Sequence, residues 1–135
     1  MQEHIEQARH NQNFHNCIEG NFEDNFFDWK ITVLFYTAIH CLKALAAKKA
    51  IDIGETHVDI AKHIDPKSNT AKMRISANAY SEYKNLLQYS KTARYCGITD
   101  METFQELKRI DHKHCMESLR KFKMYVAGKG VDIDK

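Results

Sequence analysis

Only one proline and five glycines interrupt the 135 residues. So few breakers exclude collagen-like and low-complexity classes, and they argue against a β-sandwich, whose turns would need Gly, Pro or Asn-Gly signals every ~8–12 residues. No Cys-x-x-Cys pair is present. Cys17, Cys41, Cys96 and Cys115 lie far apart with no secretory signal read ahead of them, so reduced thiols in a cytoplasmic protein are the simplest expectation. The longest apolar run, Ile31 to Ala47, contains His40 and Lys43 and is read as too short and too polar for a membrane span. The HExxH motif, the Gly-rich phosphate loop and the Gly-x-Ser-x-Gly elbow are all missing, which removes three common enzyme signatures. Neither sign of charge dominates. Twenty basic and 18 acidic residues give +2 with eight histidines neutral, so any nucleic-acid site must be a local patch.

What is present is helical text: 43% hydrophobic and 28% charged residues in one domain's length of chain. Met1 to about Gly20 is polar and weakly helical, with Ile5, Ala8, Phe14 and Ile18 as anchors. Asp24 or Asn25 can cap a second helix to about Ala50, whose Ile31, Leu34, Phe35, Ala38, Leu42 and Leu45 keep a 3.6-residue period. Val33, Ala44 and Ala47 lie on its other side, which suits the middle of a bundle. Thr56-x-x-Asp59 opens a short third helix to about Ile64 after the break at Gly54. A loop at Asp65-Pro66 precedes a fourth helix, expected from about Ala71 to Tyr95 and ended by Cys96-Gly97. Thr99 or Asp100 caps a fifth helix, Met101 to about Ala127, that buries Phe104, Leu107, Cys115, Leu119, Phe122 and Val126. The last five residues read as frayed. The expected fold is all-α, an antiparallel up-down bundle of four to five helices.

Polar residues that interrupt the apolar pattern mark candidate sites. On the second helix Trp29, Tyr36, His40 and Lys43 fall within about 60° of one another, with Tyr36 and His40 at i and i+4. Arg94 and Ser90 border the fourth helix's buried stripe. Asp111 sits inside the fifth helix's stripe and needs a cation, for which Arg94 and His40 are the candidates. His112-Lys113-His114-Cys115 places metal-ligand types on consecutive positions, which point apart, so no metal and no cofactor is expected. Lys108, Arg109, Lys113, Arg120, Lys121 and Lys123 make the fifth helix basic. Such a run is a solvated face or a track for a phosphate backbone.

The order Asp28-Trp29, Phe35-Tyr36-x-x-x-His40, Thr56-His57, then Tyr83-x-x-Leu86-x-x-x-Ser90-x-x-Ala93-Arg94-Tyr95 resembles a branch of the HEPN superfamily over roughly residues 25–96. That resemblance implies one HEPN-like helical domain over residues 1–135. It implies a homodimer, with RNA or a nucleotide as ligand and a cognate antitoxin or a nucleotidyltransferase as partner. It also implies a metal-independent endoribonuclease of a defence or toxin–antitoxin system. The catalytic pair of the family's Arg-x(4–6)-His motif falls on Arg109 and His114, and the ligand-binding set on Tyr36, His40, His57 and Arg94. Ile110 follows Arg109 where the family has a polar residue, and Ile60 stands where its His-x-x-Arg pattern closes. A second Arg-x5-His, Arg9 to His15, lies near the N-terminal end. The residues leave a second reading open: a non-catalytic homodimeric interaction module whose polar core groups fix helix register.

Overall fold

The most apolar segment becomes the helix on which the other long helices pack. The computed structural model describes residues 1–95 and 101–135, with side chains described over 1–93 and 105–135. Its helices are α1 (Gln2–Asn21), α2 (Phe27–Lys48), α3 (His57–Ile64), α4 (Ala77–Tyr95) and α5 (Met101–Gly128), and no strand occurs among the described residues. Helix α2 packs on α1, α4 and α5, and α4 packs on α5, giving an all-α bundle.

The period read from α2 is the buried one: Ile31, Phe35, Ala38 and Leu42 are 0% exposed. Neither Asp24 nor Asn25 caps the helix: the N-cap is Phe26, in the left-handed conformation at φ 58° and without a side-chain cap bond. Asn25 Oδ1 accepts from Phe26 N at 2.8 Å ahead of the first turn. By length and composition the whole of α2, longer than the run Ile31 to Ala47, is long and apolar enough to cross a membrane. In this fold it is the core helix, 72% of its most apolar window being buried by its neighbours. One face escapes: Trp29 is 61% exposed and Tyr36 37%.

Thr56 caps α3 as its spacing predicts, Oγ1 accepting from Asp59 N at 3.1 Å. Gly54 just ahead of it has φ +91°, and a Cβ there would stand 2.6 Å from Asp59 Cβ. Helix α4 starts later than its period suggested. Residues 71–76 run as an irregular connection, with Met73 N donating to His63 O (2.9 Å) and Ile75 N to Ile64 O (3.1 Å). Met73 and Ile75 are buried while Arg74 between them is exposed, so a two-residue alternation mimicked the first turn of a helix. Ser76 then caps α4 through Ala79 N at 3.1 Å.

Helix α5 follows its reading with one correction. Cys115, Leu119, Phe122 and Val126 are buried, but Leu107 is 46% exposed. Phe104, Cys96, Gly97, Thr99 and Asp100 lie outside the described side chains. The tail is also corrected: it is docked, with Val131 at 0% and Ile133 at 4% exposure. Arg9 Nε donates to Ile133 O at 2.7 Å and its Nη2 to Lys135 O, while Gln12 Nε2 and Lys123 Nζ both reach Asp134. The segment's alternation of Val131 and Ile133 with aspartates was the signal for this burial.

Candidate functional site

The cap at Thr56 fixes where α3 begins, and so places His57, its first residue, against the exposed face of α2. The His57 ring lies 5.2 Å from Phe35 and 6.1 Å from Tyr36, centroid to centroid. One turn along α2, His40 Nδ1 is 3.1 Å from His4 Nδ1 on α1, the two rings stacked at 5.4 Å and 27°. Desolvation, then His4 and Lys43, push the His40 imidazolium down to about 4. His40 is therefore neutral near pH 7. Lys43 is paired with Glu55 at 3.2 Å. Three of the four predicted ligand-binding residues thus lie along one face of α2 and the start of α3; the side chain of the fourth, Arg94, lies outside the described residues.

Arg109 and His114 do not meet within one chain. Arg109 Nη1 binds Asp24 Oδ1 at 2.9 Å and Nε faces Glu106 at 3.4 Å, with the guanidinium 5.1 Å from the Phe27 ring. His114 lies flat against Tyr89 of α4, 6.1 Å between centroids and 8° between planes. This is the divergence that five residues of helical rotation impose. Asp111, expected to pair with His40 or Arg94, pairs with Lys108 at 3.0 Å, whose ammonium also donates to Thr92 at 3.2 Å, while His40 turns to His4; the side chain of Arg94 lies outside the described residues. That cation is buried and stands one turn back on the same helix. The basic face is also partly neutralised: Arg120 binds both oxygens of Glu117, at 2.9 and 2.6 Å, leaving Lys113 exposed.

A polar cluster that sequence reasoning missed joins α1 to α5. His15 Nε2 and His112 Nε2 are 2.8 Å apart, and both residues are buried. Glu19 Oε2 lies 3.7 Å from His112 Nε2 and 3.2 Å from the ammonium of Lys30, which is 0% exposed. Lys30 also donates to the carbonyls of Phe22 (2.7 Å) and Glu23 (3.2 Å) and sits 4.4 Å above the Phe27 ring. The available signals were His15 and Glu19 at i and i+4, and a lysine inside the most apolar helix. Burial lowers both imidazoles; for His112 it acts with the neighbouring His15 to bring the group to about 4.

Two kinds of chemistry are therefore present. The α2 face offers aromatic edges, the His57 ring and the neutral imidazole of His40, suited to stacking and hydrogen bonding. The α1–α5 cluster offers buried nitrogen and carboxylate donors. A model of the HEPN domain matches residues 1–129 of the chain. No curated protein and no solved structure matches it significantly.

Proposed function

The chain belongs to the HEPN domain family, and on that premise we propose that it binds RNA or a nucleotide on the exposed face of α2, as a cytoplasmic homodimer. The observation that supports this most is the grouping of Tyr36, His40 and His57 on a face that also exposes Trp29, in an otherwise buried helix. Aromatic rings at a surface stack on bases of any sequence, at roughly 1–3 kcal/mol per base. A neutral His40 accepts or donates a hydrogen bond to a base or ribose, while Arg94 supplies the charge for phosphate.

In this reading any cleavage is metal-independent and belongs to Arg109 and His114, because an imidazole held near 4 is a weak base at neutral pH. His114 takes the ribose 2′-hydroxyl proton as the 2′-oxygen bonds to phosphorus and the P–O5′ bond breaks. The proton passes to the departing 5′-oxygen to leave a 2′,3′-cyclic phosphate, and Arg109 stabilises charge on the transition state. Since the two diverge within one chain, each site takes one from each copy. A ribonuclease assay in EDTA, with binding measured alongside, tests both parts. His57→Ala and Arg94→Ala lose binding with the fold intact. Cleavage is lost in Arg109→Ala and His114→Ala, and partly returns when those two variants are mixed. Failure of folded wild-type protein to bind RNA or nucleotide would sink the proposal.

The pairing of His40 with His4 favours a second reading, in which the polar groups satisfy one another and the chain is a non-catalytic interaction module. That reading requires His40→Ala to lose stability rather than affinity. A cognate antitoxin or nucleotidyltransferase belongs to the same proposal, as the partner that would cover this face.

A further inference from the structure

We propose that His15, Glu19 and His112 form a binding site for a single divalent transition-metal ion, of the zinc class, that clamps α1 to α5. This goes beyond nucleotide or RNA binding and concerns the buried cluster between α1 and α5.

The donor set has the spacing such an ion needs. His15 and Glu19 are one helical turn apart on α1, so their side chains lie on one face, and His112 arrives from α5. The three ligand atoms lie within 4.8 Å of one another. Two imidazole nitrogens at 2.8 Å already point at one another. Around a tetrahedral ion with Zn–N near 2.0–2.1 Å, nitrogens stand about 3.3–3.4 Å apart. Closing the site on an ion thus means parting the rings by about half an ångström, within the reach of small side-chain rotations.

The surroundings support the imidazoles as ligands. His15 Nδ1 is 3.2 Å from Asn16 Oδ1, so the ring carries its proton on Nδ1 and directs the Nε2 lone pair inward. A metal-bound histidine holds its outer N–H in this way. In the ion-free protein His112 then donates Nε2–H to His15. On binding, that proton moves to His112 Nδ1, and no proton is released. A cleft of about 260 Å³ between Gln12, Asn16, Leu34, Leu119 and Arg120 reaches His15, one of the three donors. Three protein donors leave a fourth position for water.

Lys30 opposes the ion, because its ammonium holds the same Glu19 oxygen at 3.2 Å. The carboxylate has a second oxygen for the metal, yet the nearby positive charge weakens binding. Replacing Lys30 by methionine removes that charge, so the variant binds metal more tightly than wild type and regains more thermal stability when it does. A merely structural histidine pair would not respond in this way.

The test is titration of metal-stripped full-length chain with Zn2+ and Co2+, with helicity and melting temperature followed in parallel. Cys17 is exposed two residues from His15, so the titrations are made in a Cys17→Ser background. The expected result is one ion per chain and visible cobalt absorption of a four- or five-coordinate site. His112→Gln and Glu19→Gln weaken binding at least about tenfold, whereas His40→Gln in the other histidine pair leaves it unchanged. Lys30→Met tightens it. Wild-type affinity in folded His112→Gln, or no ion bound by folded wild type, would overturn the site.

Discussion

His40 and His4 face each other through their Nδ1 atoms at 3.1 Å, one on the core helix and one on the first turn of α1. Only one nitrogen can hold the shared proton, so the contact requires at least one neutral ring. Lys43 on the same helix adds positive charge, and Glu55, paired with Lys43, offsets part of it. The folded protein therefore resists protonation here, while the unfolded chain takes up protons near 6.5.

The His40 contribution to stability should consequently fall as pH drops from about 6.5 towards 4 and level off below that. In this window the unfolded state binds more protons than the native state, so unfolding becomes easier as protons are added. The half-exposed position limits the His40 contribution to about 1–2 kcal/mol. Melting temperatures of wild type and His40→Gln across this range check it: the variant has the shallower slope.

Lys30 is the most consequential buried charge in the core. Its removal leaves Glu19 and the Phe22 and Glu23 carbonyls without their donor. Lys30→Ala should destabilise by about 3–5 kcal/mol. In a double-mutant cycle with Glu19→Gln, the pair should couple by about 0.5–3 kcal/mol. Chemical denaturation of the four proteins measures both quantities.

The tail is part of the core. Deleting residues 131–135 removes the side chains of Val131 and Ile133, each worth about 1.5–3 kcal/mol when fully buried. It also strands Arg9, which caps the Ile133 and Lys135 carbonyls. A lowered melting temperature is expected, and the intact protein should resist carboxypeptidase at Ile133.

The start of α3 positions His57, and two single changes weaken it. Thr56→Ala removes the cap and costs about 1 kcal/mol. Gly54→Ala forces a side chain into φ +91° and against Asp59, so it costs more than about 1 kcal/mol. Both should lower ligand affinity as well as the melting temperature, because His57 loses its place beside Tyr36.

Long, strongly periodic segments were legible from the residues. The stripe of α2, the Thr56 cap and the run from Cys115 to Val126 each carry a local signal that the bundle reinforces. The start of α4 was misread because Met73 and Ile75 bury by alternation, which a six-residue window does not separate from a helical turn. The partners of His40 and His112 were not legible, since His4 and His15 are chosen by how helices dock, whereas the Lys108–Asp111 pair is an i, i+3 contact within α5 that spacing alone offered. Lys30 shows the same limit: an apolar helix hides a lysine at no visible local penalty, and only the arrival of Glu19 and two carbonyls explains it. The face holding Tyr36, His40 and His57 was readable in its residues, while the apartness of Arg109 and His114 followed from helix geometry alone.

Trp29 is the chain's single tryptophan and stands exposed on the proposed binding face. Its fluorescence, followed while a short single-stranded RNA or a nucleotide is added to the folded protein in EDTA, therefore reports on that face alone. Saturable quenching that weakens with salt and is lost in His57→Ala, with helicity unchanged, is the predicted result. An unchanged spectrum in wild type, with ligand at millimolar excess, would contradict the assignment of this face to nucleotide or RNA binding.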